Sequence, residues 1–161
     1  MHLLQPIDYQ PAINSRFVLA RAQIQRLLPN AVVEHIGSSA IPGAVSKGDL
    51  DICVLVGQSD HAPSVSILIG HGYTEKLDTL RNEHLCMLEW HNQDEEHAVQ
   101  LVAQGSPFEM FIVFRDALLA CPALVDEYNQ VKLNAAHLPA TEYRAAKSIF
   151  IERVLSETKS Q

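Results

Sequence analysis

Cysteine is scarce in this chain, cationic residues are outnumbered, and no apolar run is long. Cys53, Cys86 and Cys121 are the only cysteines, they lie far apart, and none belongs to a Cys-x-x-Cys pair. An odd, sparse set of this kind fits reduced thiols in a cytoplasmic protein rather than a disulfide framework. Twelve Lys and Arg stand against nineteen Asp and Glu, for a formal charge of −7. An acidic surface repels nucleic-acid backbones and anionic lipid, so general nucleic-acid binding is excluded. A local basic pocket for one phosphorylated small molecule is not. No stretch reaches the ~18 apolar residues of a bilayer span. Met1 to Gln10 lacks the basic and then apolar order of a signal peptide. The expectation is a cytoplasmic protein without a membrane partner.

What the chain does have is ordinary globular composition over 161 residues, 47% hydrophobic and 19% charged. A chain of this length buries most of its unfolded surface without disulfides or structural zinc, and one compact domain over residues 1–161 is expected. There is no internal repeat and no low-complexity tract. Ile13 to Leu28 carries apolar residues at helical spacing and stops at Pro29-Asn30. Ala31–Ile36 and Leu50–Val56 read as strands, Ala62–Ile69 as a helix ended by Gly70 or Gly72. Tyr73–Leu77, His84–Trp90 and Val99–Ala103 are further strand candidates. Phe108–Ala120, Ala123–Ala136 and Ala140–Glu157 read as helices, with Pro107 and Pro122 near helix starts. The pattern predicts an α+β protein, a mixed sheet with helices packed on it and a helical C-terminal third.

The chemistry concentrates between residues 34 and 52. A strand that ends in Gly37-Ser38 can turn its backbone N–H groups outward, and with Ser38 and Ser39 beside them they form a cradle for phosphate oxygens. After a short connector come Lys47-Gly48-Asp49-Leu50-Asp51. Residues two apart on a strand share a face, so Asp49 and Asp51 project together, roughly 6–7 Å apart at Cα. Two such carboxylates suit Mg²⁺ or Mn²⁺, which prefer hard oxygen ligands. Asp49 and Asp51 are therefore the candidate catalytic and metal-ligating residues. Gly37, Ser38, Ser39 and Lys47 are candidate contacts for a nucleoside triphosphate or another phosphorylated small molecule. Lys147 lies four residues after Tyr143 on the last helix and shares its face.

With those residues in hand, the sequence resembles the GrpB-like family, whose fold is of the nucleotidyltransferase kind. The likeness spans roughly residues 33–155. It rests on Glu34-His35-Ile36-Gly37-Ser38-Ser39-Ala40-Ile41-Pro42-Gly43, on Leu50-Asp51-Ile52, and on Gly105-Ser106-Pro107 with Phe114-Arg115-Asp116-Ala117-Leu118. Tyr128-Asn129-Gln130-Val131-Lys132 and Ala146-Lys147-Ser148-Ile149-Phe150-Ile151 complete it. The resemblance implies a nucleotidyltransferase-type sheet bearing the Gly-Ser turn and the acids, and it makes Lys147 a phosphate contact. It implies metal-dependent transfer of a nucleotide to a small-molecule acceptor, or an inactive nucleotide-binding module of the same fold. Two departures matter. Many members read Lys-Pro-Ile-Ile-Asp where this chain carries a fuller acid pair. Nucleotidyltransferases usually place a third acid on a later strand, where this chain has Gln100, which cannot act as a base.

Other polar residues have plainer readings. Arg115-Asp116 fits a structural ion pair, and Asp94-Glu95-Glu96 a solvated turn. His84, His91 and His97 match no zinc spacing. Trp90 and Phe108 read as core.

Overall fold

The computed structural model describes residues 1–160. The chain begins with α1, Pro6–Leu27, longer at its start than the periodicity predicts. Pro11 lies inside this helix. Pro6 already occupies the favoured first position and Asp8 complements the first turn. Burial of Tyr9 and Ile13 on either side of Pro11 offsets the one backbone bond that proline forgoes.

The sheet has five strands: β1 Val32–Ile36, β2 Asp51–Val56, β3 Thr74–Glu75, β4 Leu85–Trp90 and β5 His97–Ala103. Their spatial order is β1-β2-β5-β4-β3, with β2 and β5 parallel and every other pair antiparallel. Each predicted strand is present. The third is cut to two residues because Leu77 is exposed and offers no apolar side chain to the core. The expected helices follow: α2 His61–His71, α3 Met110–Ala120, α4 Pro122–Ala135 and α5 Ala140–Lys159. The Asp94-Glu95-Glu96 segment is an exposed turn, as composition suggested.

Strand alternation sorts the core onto two faces. On one, Ile52, Val54, Val56, Val99, Leu101 and Leu88 pack with Ile13, Ile24 and Leu68 of α1 and α2. On the other, Cys53, Leu55, Leu85 and Val102 meet Phe108, Phe111 and Ile112 at the start of the C-terminal helices. A third cluster joins α3, α4 and α5 through Phe114, Leu118, Val125, Tyr128, Phe150 and Val154. Tyr128 stacks on Phe150 with ring centroids 4.9 Å apart, and Phe114 meets Tyr128 edge-on.

Arg115 is the bolt between this helical layer and the sheet. Its guanidinium donates to Glu34 Oε2 at 2.7 Å, to the His35 carbonyl at 2.9 Å, and to Asp116. The expected ion pair within the helix is therefore present, but its larger role is to hold α3 on the end of β1.

Candidate functional site

β1 ends at Ile36 and the chain turns at Gly37, whose φ is +75°. A Cβ at this position would lie 2.8 Å from Asp51 Oδ2. Glycine is thus required twice over, for the left-handed backbone and for the approach of the carboxylate. Gly37→Ala is expected to destabilise the fold by at least about 1–2 kcal/mol, the usual cost of a non-glycine residue in that region. Chemical denaturation checks the magnitude.

One turn of 3-10 helix, Ser38–Ala40, follows. Successive side chains leave such a turn about 120° apart, so its two serines cannot share a direction. Ser38 faces an open cleft. Ser39 is buried, with its hydroxyl 2.9 Å from His35 Nε2, and it does not line that cleft. The His35 ring is itself held by stacking on Phe17 at 4.9 Å. The expectation that Ser38 and Ser39 face the same way is therefore corrected: only Ser38 borders the cleft.

The connector to β2 is clamped by its neighbours. Gln10 donates to the Ile41 carbonyl at 2.7 Å, the Tyr9 hydroxyl donates to Ala44 at 2.7 Å, and the Asn129 amide bridges Gly43 and Val45. These bonds aim the next residues. Regular strand begins at Asp51, two residues later than Asp49, although Ala98 N–H still bonds the Leu50 carbonyl at 2.9 Å. Leu50 and Ile52 are buried in the core, so the acids between and beside them face the other way. Asp49 is well exposed and pairs with Lys47 at 3.4 Å.

The cleft these residues share has a volume of about 440 Å³. Gly37, Ser38, Lys47, Asp49, Asp51 and Lys147 all line it. Gln100 enters from β5, where it sits opposite Cys53, and its amide oxygen is buried without a donor. Tyr143 and Lys147 contribute from α5, the ammonium lying 5.4 Å from the Tyr143 ring centroid.

Lys132, given no role by sequence reasoning, forms part of the wall. It is only 1% exposed, the largest fully buried side chain among the described residues. Its ammonium donates to Ser38 Oγ at 3.0 Å and to the Val45 carbonyl, and lies 4.2 Å from the Tyr128 ring centroid. The sequence did hold a sign of this. Val125, Tyr128, Lys132 and Ala135 recur at helical spacing on the buried face of α4, and a lysine on such a stripe requires a reason.

Charge in the cleft is crowded. Burial and the Asp49 charge push the Asp51 carboxyl up to about 6, against the pull of Lys147, Lys47 and Lys76. Burial and then Lys147 push the Lys132 ammonium down to about 7. Lys147 is lowered by burial first and by Lys47 next. Three lysines and two aspartates thus converge in one cleft, where Lys47 pairs with Asp49 and burial favours the neutral forms of Asp51 and Lys132. Among the described residues no three His, Cys, Asp or Glu side chains cluster as a ready metal cage, so the acid pair would need oxygen atoms from a ligand to complete a coordination shell. No helix among them is long and apolar enough to cross a membrane.

Comparison with known proteins follows the same outline. The family model described as GrpB protein matches residues 5–157. A UPF0157 protein of Vibrio cholerae is 45% identical over 98% of this chain and 83% of its own length. A UPF0157 protein of Deinococcus radiodurans is 32% identical over 88% of this chain and 74% of its own. The crystal structure of the conserved protein GrpB from Enterococcus faecalis superposes with a TM-score of 0.74 at 23% identity, covering 98% of this chain and 96% of that one. The Cid1 poly(U) polymerase superposes at 0.54 and 19% identity, over 80% of this chain and 41% of that one, a likeness of fold. The sheet is of nucleotidyltransferase type, and the chain belongs to the GrpB family.

Proposed function

We propose that the cleft binds a nucleoside triphosphate with Mg²⁺ or Mn²⁺ and that the protein transfers the nucleotide to a small-molecule acceptor. One observation carries this reading: the Gly37-Ser38 turn, the acid pair and three lysines all border one cleft. Asp49 and Asp51 would hold the ion. They are hard oxygen donors, and burial together with the Asp49 charge pushes the Asp51 carboxyl up to about 6, so a bound cation would favour its charged form. Magnesium commonly takes one or two carboxylates and completes its shell with phosphate and water oxygens, which suits a site with two acids. The MgGTP-bound Cid1 poly(U) polymerase accords with such a ligand on this fold.

The remaining roles follow from position. Backbone N–H groups at Gly37-Ser38 and the Ser38 hydroxyl receive phosphate oxygens. Lys47, Lys132 and Lys147 balance the phosphate charge. In the transfer, the acceptor's hydroxyl oxygen forms a bond to the α-phosphorus. The bond from that phosphorus to its bridging oxygen breaks, pyrophosphate leaves with the electron pair, and the hydroxyl proton passes to water. A bound Mg²⁺ would supply neutralisation of phosphate charge and a lower pKa for the attacking hydroxyl.

Gln100 favours a second reading. It stands on the later strand where nucleotidyltransferases usually place a third acid, and an amide cannot take a proton. A nucleotide-binding module without turnover would retain the cleft and lack the reaction. Calorimetry with ATP, with and without Mg²⁺, followed by a search for label transferred from α-labelled ATP to hydroxyl acceptors, separates the two. Metal-dependent binding with transfer supports the enzyme, and binding without transfer supports the module. Equal affinity with and without metal would remove both.

A further inference from the structure

Asp49 and Asp51 border two cavities. Besides the cleft described above, they line a second one of about 300 Å³ on the side of Arg16, Lys76, Glu89 and Trp90. Arg16 and Lys76 face it as cations, and Asp49, Asp51, Glu89 and Glu96 as carboxylates. Glu89 is satisfied twice, by Lys76 at 3.3 Å and His91 at 2.8 Å. His97 is satisfied at both nitrogens, by the Tyr73 hydroxyl at 2.8 Å and the Glu95 carbonyl at 2.7 Å. Two donors are left over: Arg16 Nε and Trp90 Nε1 are buried without a partner.

Arg16 is also short of charge. Its Nη2 donates to the Glu96 backbone carbonyl, and among the described residues no carboxylate pairs with the guanidinium. A guanidinium with only a carbonyl partner remains a full cation with a fork suited to carboxylate or phosphate oxygens.

We infer that this second cavity seats the acceptor, a small molecule with a hydroxyl beside Asp49 and Asp51 and an anionic group, carboxylate or phosphate, held by Arg16. The inference rests on the reading of the first cleft as the nucleotide site. The shared acid pair then stands between donor and acceptor, and the acceptor hydroxyl provides the oxygen that bonds to the α-phosphorus as pyrophosphate departs. Size sets the class: about 300 Å³ is at the low end for a ligand pocket and fits a small metabolite, not an oligonucleotide.

The test uses the full chain with Mg²⁺ and a non-hydrolysable ATP analogue, titrated in turn with glycerate, glycerol 3-phosphate and glycerol. At least one anionic probe is expected to bind while glycerol does not, and the two anions tell carboxylate from phosphate. Arg16→Gln is expected to weaken anion binding at least tenfold and to leave affinity for the Mg²⁺–nucleotide unchanged. Glycerol binding as tightly as the anions would overturn the inference, and so would Arg16→Gln leaving anion affinity intact. The glycerol comparison needs no variant and so holds if Arg16→Gln does not fold. If the nucleotide binds and neither anion does, this inference alone fails. If an anion binds through Arg16 while the nucleotide does not, the anion pocket stands and the reading of the first cleft falls.

Discussion

Asp51→Asn is expected to make the protein more stable and to abolish metal-dependent nucleotide binding. The two effects share one cause. In the folded chain the carboxyl is raised from its ordinary 3.8 to about 6, by burial first and Asp49 second. A folded state that holds the proton more tightly than the unfolded state loses stability as pH rises through that window, and the loss is complete above about 6. At pH 7 the penalty is about 1–3 kcal/mol, which asparagine does not incur. At about 2–4 °C per kcal/mol for a chain of this size, the melting temperature should rise by several degrees in metal-free buffer. Added Mg²⁺ and ATP should stabilise the parent protein and not the variant. Affinity should fall by more than the ~10–100-fold typical of losing a group that merely supports a metal ligand. Calorimetry at pH 7 and thermal melts from pH 4 to 8 read both halves. A variant that melts lower, or binds as well, would show that the carboxylate is structural.

Lys132→Met is the second large effect. Methionine fills comparable apolar space beside Tyr128 and Phe150, but it cannot donate to Ser38 or Val45. Loss of one charge-assisted bond to phosphate is worth about 1.5–3 kcal/mol, or roughly 10–100-fold in nucleotide affinity. The parent should show a matching pH dependence. With its pKa near 7, Lys132 is a cation below that value and neutral above it. Pyrophosphate affinity measured without metal should therefore fall more steeply as pH rises through about 7 in the parent than in Lys132→Met. Stability moves the other way. The folded pKa lies below the ordinary 10.5, so the unfolded chain holds more protons between about 7 and 10.5, and the contribution of Lys132 to native stability rises with pH across that range. The profile with pyrophosphate separates an anion contact from a packing role, since packing alone does not titrate.

Much of this was legible in the residues, for reasons that differ by element. The β-branched runs Val32–Ile36 and Leu50–Val56 announce strands, and alternation within the second separates Leu50 and Ile52 from Asp49 and Asp51. Because the Gly37 turn and the Asp49 pair sit at adjoining ends of antiparallel neighbours, their convergence follows from local pattern plus one pairing. Ser39 shows where this stops. Its neighbour in sequence faces the cleft, yet a tight turn and the His35 ring send Ser39 into the core, and neither is visible in a string of letters. Lys132 shows the same limit from the other direction. It reaches the cleft only because α4 packs beside the connector, 94 residues from the serine it bonds. Arg16 and Trp90 belong to a pocket assembled from α1, β4 and the start of β5, which no linear motif joins.

Crystals grown with a non-hydrolysable ATP analogue and Mn²⁺ test the central claim most directly, because the anomalous signal of manganese identifies the ion by element. A peak bound by Asp49 and Asp51, with the phosphates turned toward Gly37 and Ser38, is the predicted result. Manganese elsewhere, or a nucleotide seated away from this cleft, would contradict it.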